Sequence, residues 1–299
     1  MNRKLIVFVI VIFLFQPLGM LYACTSFAVY SNQVYYGMNF DYMNLPMKFR
    51  ILTNGDTRTF HLAFERTVGG NRFFVNTAGM NSNGLFSSCQ ELHPVNANPN
   101  QKTDENIYTF ELYEAISFSR SVKEIEKIAR NLPLVDIPGI TLHNLFADTN
   151  GRAIVTEAGG DVTKIVEMKK NFMVMTNFSL GSLVGKSYTQ AIGAGDQRYI
   201  ICHEFLKQHA SDFNIEKGFE LLSLCRNKDP KYSTMCSMVF DPQEGDVYIA
   251  LERNFSQLLK LTIENGNIET FRGYEKHTML PAAAEADGLL IEDLKQKLL

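Results

Sequence analysis

In the stretch "FQPLGMLYACTSFAVYSNQVYYGMNFDYMN" an apolar segment stops at Ala23 and Cys24 follows at once. A cysteine that begins a chain carries two halves of a catalyst: its thiol is a nucleophile, and its own α-amine is a general base a few ångströms away. Ordinary values of about 8.5 for the thiol and about 7.7–8.0 for the amine let both exchange protons near neutral pH. Inside a longer chain that nitrogen is an amide and is not basic. The chemistry therefore needs the segment before Cys24 to be removed.

That segment is read as a cleavable export signal. Asn2-Arg3-Lys4 supplies positive charge, Leu5 to Phe15 is an unbroken apolar run, and Pro17, Gly19 and Ala23 follow. An apolar run of this length falls short of the roughly 20 residues that span a bilayer. Residues 1–23 are expected to be the signal peptide and residues 24–299 a single domain, secreted or periplasmic and with no stable membrane insertion once the leader is gone. A lipobox reading competes, because "LYAC" resembles the site at which a cysteine is lipidated; Tyr22 stands where a small residue is usual, and lipidation would block the thiol. In that case the protein is a lipid-anchored, non-catalytic binding protein.

Five cysteines occur, Cys24, Cys89, Cys202, Cys225 and Cys236. With Cys24 reserved, the other four allow three disulfide pairings, or none. No C-x-x-C is present, and His203 and His209 stand six apart rather than at the i, i+4 spacing of a helical metal pair. No metal and no cofactor are expected. A net charge of −3 gives no basic surplus for neutralising phosphates, which argues against nucleic acid as a partner.

The elements that must position Cys24 are mostly strands. "TSFAVYS" and "QVYYGMNFD" form a hairpin about Ser31-Asn32, and "RTFHLAFERT" and "NRFFVNTAG" flank Gly69-Gly70, so the chain is expected to open as a β-meander. From Thr109 to Asn131 the apolar period changes to that of two helices, with Ser121 as an N-cap. Strands return at "TLHNLFAD", "AIVTEAG", "VTKIVEM" and "FMVMTNF", then helices from about Gln197 to Gln208 and Ile215 to Cys225, then "STMCSMVFD", "DVYIALE" and "LLKLTIE". The tail after Pro281 reads as helical. Blocks of strands and helices, rather than βαβ alternation, argue for antiparallel sheets with helices on their outer faces, an α+β architecture.

Over most of residues 24–299, motif order and spacing resemble the choloylglycine hydrolase family, the N-terminal nucleophile hydrolases of linear amide C–N bonds that include bile salt hydrolases and penicillin V acylases. That family begins with Cys-Thr, here Cys24-Thr25. A G-R-N-x-D motif follows, here Gly37-Met38-Asn39-Phe40-Asp41. Next come an N-x-x-G-L segment, here Asn81 to Leu85, a strand ending in Thr176-Asn177, and a helix opening with Arg198. The resemblance implies a four-layer αββα sandwich of two antiparallel sheets flanked by helices, and the catalytic set Cys24, Asp41, Asn177 and Arg198. Cys24 would form a thioester, Asp41 would orient its amine or thiol, Asn177 would donate to the oxyanion, and Arg198 would hold the thiolate.

Two departures are visible: Met38 stands where the family commonly has an arginine, and the family's second oxyanion donor falls at Glu91. A carboxylate would repel an oxyanion, so Gln90 or a backbone N–H is the expected donor, with Glu91 a pocket residue. Phe40, Tyr42, Met43 and Phe86 are expected to line an apolar acyl pocket. The implied substrate is a small N-acyl amide, with conjugated bile salts, penicillin V and N-acyl homoserine lactones unranked. Acyl transfer to an amine is a further alternative, and a homotetramer is implied by analogy only.

Overall fold

The computed structural model describes residues 24–68, 70–282 and 288–298; residues 1–23, with the expected export signal, lie outside the described residues. The chain runs β1 (Thr25–Tyr30), β2 (Val34–Asp41), β3 (Met47–Asn54), β4 (Thr57–Val68), β5 (Asn71–Asn81), β6 (Phe86–Glu91), β7 (Ile107–Tyr108), α1 (Thr109–Glu114), α2 (Val122–Asn131) and β8 (Leu134–Val135). It continues through β9 (Leu142–Ala147), β10 (Ala153–Ala158), β11 (Thr163–Glu167), β12 (Phe172–Met175), α3 (Asp196–His209) and α4 (Ile215–Leu224). Last come β13 (Thr234–Asp241), β14 (Asp246–Leu251), β15 (Leu258–Thr262), β16 (Asn267–Arg272), β17 (Met279–Pro281), β18 (Leu289–Leu290) and α5 (Ile291–Leu298).

Among the described residues two eight-stranded sheets form, ordered β12-β1-β2-β13-β14-β15-β16-β17 and β11-β10-β9-β6-β5-β4-β3-β18, with β7 and β8 as a small parallel pair. Neighbours in both large sheets are antiparallel, as in the β1–β2 and β4–β5 ladders. The strands that open the chain do not stay together as one meander. β2 pairs with β13, and β3 starts the second sheet. The reason is burial: β2 is buried along nearly its whole length, so it needs a neighbour on each edge and a layer over each face.

Period-2 alternation on β2 sends Tyr36, Met38 and Phe40 between the sheets and Tyr35, Asn39 and Asp41 toward the helices. On the inner side Phe86 of β6 stacks on Tyr36 with centroids 5.1 Å apart and meets Phe240 of β13 at 4.9 Å, while Phe60 of β4 meets Phe240 at 6.0 Å. Rings of this size contribute about 1.5–3 kcal/mol each on burial, enough to hold the sheets together. On the outer side Asn39 donates to the Leu222 carbonyl of α4 at 2.8 Å, and Phe213 packs edge-on to Phe27. That ring explains the glycine of the motif: a Cβ on Gly37 would stand 2.2 Å from Phe27 Cζ.

α3 and α4 thus cover the first sheet, and α1, the 115–117 turn and α2 cover the second by burying Leu112, Ile116, Ile125 and Ala129 against Leu85, Phe146 and Ile154. Ser121 caps α2, accepting from the Glu124 N–H. The result is the four-layer αββα sandwich. The tail after Pro281 is less helical than its composition suggests, since β18 adds an edge strand to β3 before α5 begins.

Candidate active site

Cys24 is the first described residue and leads into β1. Because β1 and β2 are antiparallel, the start of β1 lies beside the end of β2, where Asp41 sits. Ser26 pairs with Met175 of β12, so the end of β12 and the following Asn177 reach the same rim. β13 begins there too, with Thr234 opposite Asp41. The first turn of α3, carrying Arg198, lies over these strand ends.

Arg198 ties the group together. Its Nη1 donates to Asp41 Oδ2 at 2.9 Å, to Thr25 Oγ1 at 3.2 Å and to the Cys24 carbonyl at 3.3 Å, and its Nη2 donates to Asn177 Oδ1 at 3.2 Å. Asp41 is wholly buried and takes a second hydrogen bond from the Thr234 hydroxyl. Burial pushes its carboxyl up to about 7, against the pull of Arg198 and Thr234. Thr234, 193 residues from Asp41, carries no motif signal in the sequence.

The Cys24 thiol, 5% exposed, donates to the Asp41 carbonyl at 3.8 Å. Burial drives its pKa well above the usual thiol value, with the Asp41 carboxylate adding to the rise; Arg198 pulls downward and does not win. Arg198, expected to hold a thiolate, directs its guanidinium at the Cys24 carbonyl and Asp41, and burial favours the neutral thiol.

Cys24 opens into a narrow cavity of about 90 Å³, lined among others by Phe40, Tyr42, Phe64, Arg66, Cys89, Gln90, Glu91, Phe110 and Leu142. Phe40 and Tyr42 stack at 5.4 Å, Tyr42 meets Phe64 at 4.8 Å, and the Arg66 guanidinium lies over the Phe64 ring at 5.4 Å and donates to the Tyr42 hydroxyl. A larger cavity of about 460 Å³, lined by Phe172, Tyr188, Tyr199, His203 and Lys170 among others, holds none of Cys24, Asp41, Asn177 and Arg198, so the candidate site is at the smaller one.

Of the expected pocket residues, Phe40, Gln90 and Glu91 line the cavity, with Tyr42. Phe86 does not: it lies four residues before Gln90, roughly 13 Å back along β6, and is buried between the sheets against Tyr36 and Phe240. Met43 also lies off the cavity, half-buried against the main core.

Gln90 is turned inward, donating its amide to Ser26 Oγ. Glu91 holds the rim: its backbone carbonyl accepts the Asn177 side-chain amide at 2.7 Å, leaving that amide one further N–H. The Glu91 carboxyl is pushed up to about 8 by burial, with Arg66 opposing. Met38 is fully buried on the inner face, paired in register with Ser26 and Met238, so a neutral side chain occupies the place of the family's arginine. Among the described residues no group of three or more His, Cys, Asp or Glu could hold a metal ion, and no helix is long and apolar enough to cross a membrane.

No family model matches the chain. A bile salt hydrolase/transferase from Clostridium perfringens is 31% identical over 141 residues, a match spanning 40% of this chain and only 41% of that protein. Two variants of the conjugated bile acid hydrolase from Clostridium perfringens superpose with TM-scores of 0.59 and 0.60 at 18% identity, covering 83% of this chain and 96% and 97% of theirs. Penicillin V acylase from Agrobacterium tumefaciens superposes with a TM-score of 0.57 at 13% identity, covering 83% of this chain and 91% of that one. The chain has the fold of these hydrolases. The sequence match adds support to the choloylglycine hydrolase resemblance of the motifs.

Proposed function

We propose, for a chain that shares motif order and fold with the choloylglycine hydrolases, an exported enzyme that hydrolyses the linear amide C–N bond of a small N-acyl substrate, with Cys24 as nucleophile. The observation that carries this reading is the meeting of Cys24, Asp41, Asn177 and Arg198, from four separate parts of the chain, at the mouth of one aromatic cavity.

Removal of residues 1–23 would free the Cys24 α-amine. That amine takes the thiol proton as sulfur attacks the substrate carbonyl, which answers the need of a buried neutral thiol for a base. Asp41, fixed by Arg198 and Thr234, holds the amine in place. The second N–H of the Asn177 amide points at the oxyanion of the tetrahedral intermediate. The leaving amine takes the proton from the α-ammonium, a thioester remains on Cys24, and water activated by the same amine releases the acid. The Gln90 amide gives one N–H to Ser26 and keeps a second, which supplies the other oxyanion donor, while Glu91 lines the same cavity.

The narrow aromatic lining favours a flat aromatic or straight-chain acyl group over a fused-ring steroid, since drug-sized ligands fill sites of about 300–1,000 Å³. Hydrolysis of a panel holding an aryloxyacetyl amide, fatty acyl amides and a conjugated bile salt tests the reading. Release of acid and amine in equal amounts supports it, and no turnover of any member overturns it. Interception of the thioester by an amine, giving acyl transfer, is the second reading, favoured by the hydrolase/transferase name of the partial relative; new amides formed with added amines would reveal it.

A further inference from the structure

Away from the catalytic cavity two buried cysteines meet. Cys202 Sγ and Cys225 Sγ stand 2.9 Å apart, both thiols are free, and both residues are wholly buried. The gap is less than 1 Å beyond an S–S bond of about 2.05 Å, so a small rotation of the side chains closes it. Cys89 lies on the cavity that Cys24 opens into and packs with Leu112 and Ile116, whereas Cys236 lies in the main core. The geometry joins Cys202 to Cys225 alone and leaves Cys89 and Cys236 apart, which is none of the three two-bond pairings.

The position of this pair gives it a role. Cys202 is one turn after Arg198 on α3, on the same buried face as Tyr199 and Leu206. Cys225 is the C-cap of α4, and its thiol lies 3.7 Å from the Arg198 carbonyl. The junction of the two helices is thus directly behind the turn whose side chain reaches Asp41, Asn177 and Cys24.

We infer that Cys202 and Cys225 form a disulfide in the oxidised protein, and that this cross-link is a positioning device for Arg198. One thiolate attacks a donor disulfide, small-molecule or protein, to give a mixed disulfide and one donor thiol. The second cysteine then displaces the other donor thiol. Two electrons and two protons pass to the donor, which leaves as two thiols, and the S–S bond remains on the protein. Because both thiols are buried once the helices have docked, the exchange belongs to the stage at which α3 and α4 come together. The bond then closes a loop that holds α3, the 210–212 turn and α4 in one unit.

The positioning of Arg198 rests on the hydrolase reading; the bond itself does not. The test is peptide mapping of the purified protein after incubation with excess oxidised glutathione during refolding, with free thiols alkylated under denaturing conditions. The expected result is a linked pair of peptides carrying Cys202 and Cys225, a mass lower by two hydrogens, and alkylated Cys24, Cys89 and Cys236. Reduction should lower the Tm by roughly 5–10 °C and lower kcat several-fold with KM little changed. Quantitative alkylation of both Cys202 and Cys225, or a different linked pair, overturns the bond. A bond that forms while reduction leaves kcat unchanged on an accepted substrate overturns the positioning role. The double variant Cys202→Ser with Cys225→Ser should match the reduced protein in Tm. Mapping and Tm need no substrate, so they stand even where no hydrolysis is found.

Discussion

Arg198 and Asp41 form a buried ion pair at 2.9 Å, with Asp41 fully enclosed and the Arg198 side chain 14% exposed. The same guanidinium touches Thr25, the Cys24 carbonyl and Asn177, so one side chain sets the relative positions of Cys24, the Asp41 carboxyl and the Asn177 amide. Arg198→Ala strands a buried carboxyl and is expected to cost about 3–5 kcal/mol of stability. Arg198→Lys keeps the charge but loses the fork; it should fold, with kcat lowered by about 10²-fold. Chemical denaturation and steady-state kinetics of the two variants check both statements. A lysine variant with undiminished kcat would contradict the geometry.

The two carboxyls predict the pH dependence. Asp41 is pushed up to about 7 and Glu91 to about 8 by burial. Between the ordinary carboxyl range near 4 and these values the unfolded chain has released protons that the folded chain retains. The contribution of these two groups to stability is therefore full below about pH 4 and is lost as pH rises through 7 to 8. Activity should rise as Asp41 ionises near pH 7 and fall above about pH 8 as Glu91 becomes a carboxylate beside the oxyanion site. Glu91→Gln, always neutral, should abolish the alkaline fall in kcat/KM. A fall that persists in that variant would remove Glu91 from the account.

Asn177→Ala deletes the side-chain donor and is expected to lower kcat by about 10²–10³-fold with little change in KM. Its amide also clamps the Glu91 carbonyl, so the Tm should drop as well. An equal rise in KM with kcat intact would place Asn177 in binding rather than in the chemistry.

Gly195 begins α3 with φ of +80°, and a Cβ there would stand 2.6 Å from Arg198 Nη2 and 3.0 Å from Thr176 Cβ. Gly195→Ala thus displaces the guanidinium from its partners. The expected outcome is a stability loss of about 1–3 kcal/mol with a larger relative loss of kcat. A variant that loses stability alone would show that the guanidinium finds its partners by another path.

Strands that are short runs of β-branched and other apolar residues bounded by turn signals, such as β1, β2, β9 and β10, are legible in the sequence, and so is the Ser121 cap between α1 and α2. β6 is not, because "FSSCQE" places Ser87, Ser88 and Gln90 in full burial and so hides the strand behind polar residues. The split of the opening strands between two sheets is also hidden: the β2–β13 partnership spans about two hundred residues, and no local pattern encodes it. At the site the ordered motifs point to Cys24, Asp41, Asn177 and Arg198, whereas Thr234 and the inward turn of Gln90 depend on tertiary register. Phe86 misled for the opposite reason, since an aromatic near a motif reads as pocket until the sandwich interior claims it.

The central claim is that Cys24, as the first residue of the mature chain, carries the acyl group. The most direct measurement is intact mass spectrometry of the purified protein, expressed with its own leader, before and after rapid acid quench with an N-acyl amide that it hydrolyses. The account predicts a chain beginning at Cys24 with an unmodified amine, gaining one acyl mass that maps to the Cys24 peptide and is absent in Cys24→Ala. A chain that retains residues before Cys24 or bears a lipid there, yet turns substrate over at full rate, would contradict it.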